Sequence, residues 1–169
     1  RTKGLYKKPG DVENPLISIV TVVYNDVKML EQTIQSVINQ PSNRIEYIII
    51  DGGSNDGTLE LVQQYDEQID YWVSEPDNGI YDAMNKGLAL ATGDWLNFIN
   101  SGDYLKEVPN TDNADIIYGA TFVRYPHKIR LAKPRSLQSI YKGALASHQS
   151  IYFSKSCYST YKYNLKYVV

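Results

Sequence analysis

The chain has 169 residues, 43% of them apolar and 21% charged, which is the composition of a globular protein and excludes a disordered tail. One cysteine excludes an internal disulfide framework or a multi-cysteine zinc site, two histidines leave little for a histidine-rich metal centre, and a reducing, cytoplasmic compartment fits best. No apolar run reaches the roughly 18 residues of a membrane span, and the net charge of −2 divides into −11 over residues 1–115 and +9 over residues 116–169, where there is no acid. The split reads either as a basic part facing an anionic partner (phosphates or a membrane surface) or as complementarity between two halves of one fold.

Residues 1–15 are polar, carry Pro9, Gly10 and Pro15, and read as an N-terminal arm. Leu16–Val23 is β-branched and nearly continuous, which suits a strand buried on both faces. Asn25 and Asp26 can cap a helix in which Val27, Leu30, Ile34, Val37 and Ile38 recur at helical spacing. Ile45–Ile50 reads as a second buried strand and Thr58–Tyr65 as a helix, followed by a strand at Ile69–Val73, a helix at Ile80–Ala91 and a strand at Trp95–Ile99. This alternation predicts a mainly parallel α/β sheet with right-handed crossovers, whose ligands bind beyond the carboxyl ends of the strands. Beyond residue 104, Ala114–Arg124 and Lys128–Lys133 are expected to pair as a hairpin, Ser136–Leu145 to form a short helix, and Ser147–Phe153 a strand.

The unusual residues stand at those strand ends. Asp51-Gly52-Gly53-Ser54-Asn55-Asp56-Gly57-Thr58 runs from a buried strand into a helix. Asp51 can accept hydrogen bonds from a base or ribose; alternatively the segment is a capped turn with Asp56 as the cap. It lacks the spacing of a dinucleotide-binding loop. Glu75-Pro76-Asp77-Asn78-Gly79 offers backbone N–H groups to an anion, or Asp77 or Asn78 simply caps the next helix. Asn100-Ser101-Gly102-Asp103 presents hard oxygen ligands of the kind Mg²⁺ and Mn²⁺ prefer, or it is a polar turn. His148 can orient a substrate hydroxyl or diphosphate or be structural, and Cys157 reads as an incidental thiol.

With these motifs in order, the sequence resembles a family 2 glycosyltransferase of the GT-A fold, over about Leu16–Tyr104. The resemblance rests on TVVYN at Thr21–Asn25, IIDGGSNDGT at Ile49–Thr58, SEPDNGIYDAMNKGLALATGDW at Ser74–Trp95 and FINSGDYL at Phe98–Leu105. SHQSIYF at Ser147–Phe153 is similar to the acceptor-side segment of the DGGS-type subgroup, which builds bacterial surface polysaccharides. The resemblance implies a Rossmann-like GT-A sheet, incomplete at the C-terminus, with residues 16–105 as a donor-binding half and residues 106–169 as the start of an acceptor-binding half. It implies a nucleotide-sugar donor (a UDP-sugar foremost), a saccharide or lipid-linked acceptor, and no nucleic acid. Val22 and Tyr24, with Thr21, are expected to line the base pocket, with Glu31 near it, Asp51 to hold the base or ribose, and Gly52 to lie in the donor site. Asn78, Gly79, Asp82 and Gly102 are expected along the donor site, and His148 on the acceptor side. Asp103 is expected to bind Mg²⁺ or Mn²⁺ with the diphosphate.

Three departures accompany the resemblance. Gly52 stands where many relatives have a second acid, so one base contact is lost or supplied otherwise. Asn100 and Gly102 stand where acids are common, which leaves Asp103 as the lone carboxylate of the metal motif. There is no acid after Asp115, so the catalytic base is expected beyond Val169; Asp82 is the weak local candidate. The implied reaction is a metal-assisted displacement at the anomeric carbon with inversion. A non-catalytic nucleotide- or sugar-binding module is the alternative; a sugar-nucleotide nucleotidyltransferase would want a basic Gly-rich loop where TVVYND stands. The basic, tyrosine-rich end allows a peripheral contact at the inner face of the membrane, or completes a core.

Overall fold

The structure, a computed structural model, describes residues 15–111, 114–136, 138–139, 144 and 146–166. The expected arm therefore lies, apart from Pro15, outside the described residues. Strands β1 (Ile17–Val23), β2 (Ile45–Asp51), β3 (Tyr71–Ser74) and β4 (Trp95–Phe98) alternate with helices α1 (Val27–Ile38), α2 (Thr58–Gln64) and α3 (Ile80–Leu90). The expected elements are present, with β3 starting two residues later than the apolar pattern suggests; Ile69 is buried ahead of it.

All seven residues of β1 and of β2 are buried, because the sheet is covered on both faces. On one face Ile17, Ile19 and Val23 meet Leu30, Ile34 and Val37 of α1 and Leu61 and Val62 of α2. On the other, Val20, Val22, Ile48 and Ile50 meet Ala83 and Met84 of α3. Each such aliphatic side chain contributes about 1.5–3 kcal/mol by leaving water.

The main sheet has the order β3-β2-β1-β4-β8-β5. Its first four strands are parallel, in registers that run from Ile17↔Ile45 to Val23↔Asp51 and from Ile17↔Trp95 to Val20↔Phe98. Strand β8 (Ile151–Ser154) is antiparallel to β4, and β5 (Ile116–Tyr118) antiparallel to β8.

Two expectations are corrected here. The long strand Ala114–Arg124 breaks after Tyr118: β5 joins the main sheet, held there by Gly119 N–H donating to the Ser150 carbonyl (2.9 Å), and only β6 (Thr121–Tyr125) pairs with β7 (Lys128–Ala132) as a separate hairpin. The strand expected at Ser147–Phe153 opens instead as a 3-10 turn at His148–Ser150. Asn97, fully buried in β4, imposes that turn by donating from Nδ2 to the carbonyls of Gln149 (3.1 Å) and Ile151 (2.8 Å). The helix expected over Ser136–Leu145 falls largely outside the described residues. A short helix α4 (Lys155–Tyr158) follows β8, and the Tyr158 hydroxyl donates to the Gly93 carbonyl. Among the described residues no helix is long and apolar enough to cross a membrane.

Helix capping departs from the sequence pattern as well. Neither Asn25 nor Asp26 caps α1 through its side chain. Asp56 does that work from the next loop: Oδ2 accepts from Val27 N–H (3.1 Å), while Oδ1 accepts from Thr58 Oγ1 (2.6 Å) and Thr58 N–H (3.1 Å). The Thr58 hydroxyl bond in particular holds this exposed carboxyl below its ordinary 3.8. A depressed carboxylate stabilises the fold above its unfolded value and loses that contribution as pH falls through its folded value. Asp56→Ala is therefore expected to lower the melting temperature at neutral pH, with the difference from the parent closing as both are melted at progressively more acid pH.

Helix α3 is seated by Gly87, where a Cβ would lie 2.5 Å from Val20 Cγ1 and 3.5 Å from Phe98 Cε1. Gly87→Ala would force α3 off β1 and β4 and is expected to cost about 1–3 kcal/mol, read by urea denaturation.

Candidate functional site

The carboxyl ends of β1, β2 and β3 open onto a cleft of about 570 Å3. Val22, Val23 and Tyr24 line it from β1, Gly52 and Gly53 from β2, Pro76 and Asp77 from the loop after β3, and Gly79, Ile80 and Ala83 from the start of α3. The loops lock one another. Asn25, held at φ 49°, donates its N–H to Ser54 Oγ (2.7 Å) and accepts at Oδ1 from Asn55 N–H (2.9 Å). Gly53, at φ 84°, passes so close to the next loop that a Cβ would meet Pro76 N at 3.1 Å. Only glycine combines that dihedral with that approach. Lys86 ties the third loop to α3 through Glu75 (2.9 Å) and the Pro76 carbonyl (3.2 Å).

Of the residues expected in the donor site, Val22, Tyr24, Gly52 and Gly79 line the cleft, and Tyr24 is 65% exposed. Thr21 does not: neighbouring residues of a strand face opposite sides, and its hydroxyl bonds Tyr47 Oη (3.1 Å) in the core, where burial also pushes the Tyr47 phenol up. Glu31 lies on the exposed side of α1, accepting from the Tyr65 hydroxyl (2.9 Å). Asp51 is 1% exposed, and its carboxylate is occupied internally, accepting from Ser54 N–H, Ser54 Oγ and, at 2.6 Å, Ser74 Oγ. It braces the second and third loops. Asp82 Oδ2 accepts from Asn78 N–H (3.0 Å) and Nδ2 (3.2 Å), so both residues fasten the start of α3.

A second group of residues stands beside the cleft, after β4. The Asn100–Asp103 turn lies against α1, whose polar residues hold its backbone. Thr33 Oγ1 donates to the Asp103 carbonyl (2.8 Å) and accepts from Gly102 N–H (3.0 Å); Ser36 Oγ accepts from Leu105 N–H (3.0 Å). Gln32 reaches the Gly102 carbonyl (3.2 Å) and Ser101 Oγ donates to Asp26 Oδ2 (2.8 Å). Gly102, at φ 90°, thus shapes this turn and does not line the cleft.

Asp103 is half-buried, and that burial raises its carboxyl above the usual range; the Gln149 side chain, Asn100 N–H and the neighbouring His148 oppose the rise. His148 is correspondingly lowered by burial, against the pull of Asp103. The imidazole stacks on Phe98 (centroids 5.6 Å apart) and its Nε2 bonds Tyr163 Oη (2.8 Å). Tyr163 stacks on Tyr81, burial raises its phenol to about 12, and its backbone is held by Asn85 on α3 (2.7 and 2.9 Å). Asp103 and His148, 45 residues apart in sequence, thus stand close enough for their charges to interact. Asn97, Asn85, Thr33 and Ser36, which position this second group, were not singled out from sequence. The available signal was a polar residue interrupting an apolar face, as Asn97 does in WLNFI.

The geometry agrees with the relatives of this chain. Residues 18–108 match the family model described as Glycosyl transferase family 2. An uncharacterized glycosyltransferase of Mycobacterium tuberculosis is 46% identical over 90 residues, covering 53% of this chain and 34% of the relative. The putative teichuronic acid biosynthesis glycosyltransferase TuaG of Bacillus subtilis is 38% identical over 96 residues, covering 55% and 38%. A PGL/p-HBAD biosynthesis glycosyltransferase of Mycobacterium bovis is 28% identical over 169 residues, covering 92% and 66%. The chain thus spans about a third of the length of the first of these relatives. Among solved structures, the mannosyltransferase PcManGT from Pyrobaculum calidifontis superposes with a TM-score of 0.50 at 23% identity, covering 59% of this chain and 31% of that one, a likeness of fold. The sheet flanked by helices is the GT-A arrangement, and the family match covers more than half of the sequence: this chain belongs to glycosyl transferase family 2.

Proposed function

We propose that this chain carries the donor-binding part of an enzyme that moves a sugar from a nucleotide-diphosphate sugar to a saccharide or lipid-linked acceptor in bacterial surface-glycan synthesis. The observation that carries this reading is the cleft at the ends of β1, β2 and β3, with the Asp103 corner beside it. The names of the mycobacterial and Bacillus relatives, which speak of PGL/p-HBAD and teichuronic acid biosynthesis, support the setting. In this reading residues 16–105 form the donor half and the chain from 106 begins the acceptor half, with His148 at the junction.

The residues present fit a divalent cation in one way. Among the described residues no three of His, Cys, Asp and Glu cluster. Asp103 is a half-buried carboxylate, and Asn100 Oδ1, in the same turn, is buried without a partner among the described residues. Those two oxygens would hold Mg²⁺ or Mn²⁺ only with the donor's diphosphate completing the shell. When bound, the ion would offset charge on the departing diphosphate. The chain's own part is to hold the base at Tyr24 and to keep Asp103 aimed through the α1 clamp. Displacement with inversion also needs a base for the acceptor hydroxyl; the local candidate, Asp82, spends its Oδ2 on Asn78 at the start of α3. The single carboxylate at Asp103 favours one second reading, a donor-binding module without catalysis.

The test is the melting temperature of this chain with UDP, GDP or dTDP, with and without Mn²⁺. Ligand at 100 times its Kd adds about 2.7 kcal/mol to stability, a rise of about 5–10 °C for a domain of this size. A rise that needs Mn²⁺ and is lost in Asp103→Ala is expected. A rise indifferent to both favours the binding module, and no rise in a cooperatively melting chain removes the donor reading.

The membrane contact has its own support. Paired residues of the β6–β7 hairpin place Phe122, Leu131, Arg124 and Ile129 on one face, with Phe122 54% and Ile129 63% exposed. Apolar tips among cations suit an anionic lipid surface. Arg124→Glu with Ile129→Glu is expected to weaken cosedimentation with phosphatidylglycerol vesicles severalfold and to leave nucleotide binding intact.

A further inference from the structure

Two acids from different loops stand near Gly52 at the cleft, and the structure distinguishes their surroundings. Asp51, the one the sequence motif points to, has its carboxylate filled by Ser54 and Ser74. Asp77 is different. Its Oδ1 accepts from Gly79 N–H (2.8 Å), and among the described residues its Oδ2 has no partner. That oxygen sits over Gly52: a Cβ built on Gly52 would lie 2.6 Å from Asp77 Oδ2 and 3.3 Å from Tyr24 Cδ2. The missing side chain at position 52 is therefore the space into which Asp77 projects, next to the exposed Tyr24 ring, and all three residues line the cleft.

We infer that Asp77 is the specificity-determining residue for the donor's base: its free carboxylate oxygen accepts the ring N–H of a uracil, thymine or guanine base stacked on Tyr24, with Gly52 vacant to admit it. The inference rests on the donor reading given above. A carboxylate only accepts hydrogen bonds, so it pairs with the N3–H of uracil or thymine or the N1–H of guanine. It repels the lone pair that cytosine N3 or adenine N1 places at the same position. A hydrogen bond to a charged group at a partly enclosed site is worth about tenfold or more in affinity.

The discriminating pair is UDP and CDP, whose central ring atom differs by one proton. Calorimetric titration of the parent chain with UDP, dTDP, GDP, CDP and ADP, all with Mn²⁺, is expected to show one of the first three bound at least about tenfold tighter than CDP and ADP. In Asp77→Asn the amide oxygen can keep the Gly79 N–H bond and turn its NH2 toward the base. UDP is then expected to weaken by about tenfold and CDP to gain, bringing their ratio to one or below. Gly52→Ala, which displaces Asp77 Oδ2 without changing its charge, is expected to lose UDP similarly, with melting curves of both variants confirming that they fold. An unchanged UDP-to-CDP ratio in both variants, or a parent that prefers CDP or ADP, overturns the role of Asp77 while the donor site stands. A parent that binds none of the five overturns both readings.

Discussion

Strand β1 is paired in parallel along both edges and buried on both faces, and every feature of the cleft depends on that placement. A slip of one residue would turn Ser18 and Val20 toward α1 and α2 and exchange the apolar sets of both cores, so the register is determined by packing. With β1 held, Val23 stands opposite Asp51, and Gly52 N–H reaches the Val23 carbonyl (2.9 Å). On its other edge, Ile99 N–H bonds the Val20 carbonyl (3.0 Å), which delivers the Asn100–Asp103 turn to the same side of the sheet. Parallel pairing brings the ends of neighbouring strands together, and loops distant in sequence become one surface.

Carboxylates of similar appearance have opposite fates around this sheet. Glu46, at the far edge, is 3% exposed and accepts from Ser18 Oγ, Thr92 Oγ1 (2.6 Å) and Thr92 N–H (2.9 Å). Asp51 is likewise enclosed by hydroxyls. Burying a charge is tolerable only with such compensation. Asp77 keeps one oxygen without a partner among the described residues, and Asp103 carries the mark of incomplete compensation in its raised carboxyl.

The basic end is core in one part and surface in another. Tyr152 and Tyr158 are buried and complete the core beside β4, and Tyr163 docks on α3. The β6–β7 hairpin, in contrast, is largely exposed, with Lys106 over Phe122 (4.9 Å) and Lys128 over Tyr125 (5.5 Å). A two-stranded ribbon has little core of its own, so its apolar tips are where this part of the chain has surface to offer.

The order and type of the first seven elements were legible in the sequence, because fully buried strands and amphipathic helices write their periodicity directly into residue type. So were the loops that border the cleft, since parallel topology gathers strand ends on one side of the sheet. Which side chains in those loops are free was not legible. Asp51 and Asp77 are both acids in Gly-rich turns; only the positions of Ser54 and Ser74 relative to one, and the empty Cβ of Gly52 beside the other, distinguish them. The break after Tyr118, the turn at His148 and the nearness of His148 to Asp103 were equally hidden. They follow from Asn97 and from β8 pairing backwards onto β4, contacts across more than 50 residues that no local pattern encodes. Residue type and spacing determined the frame; hydrogen-bond satisfaction, which depends on neighbours remote in the chain, decided which of its polar groups are used up inside the fold.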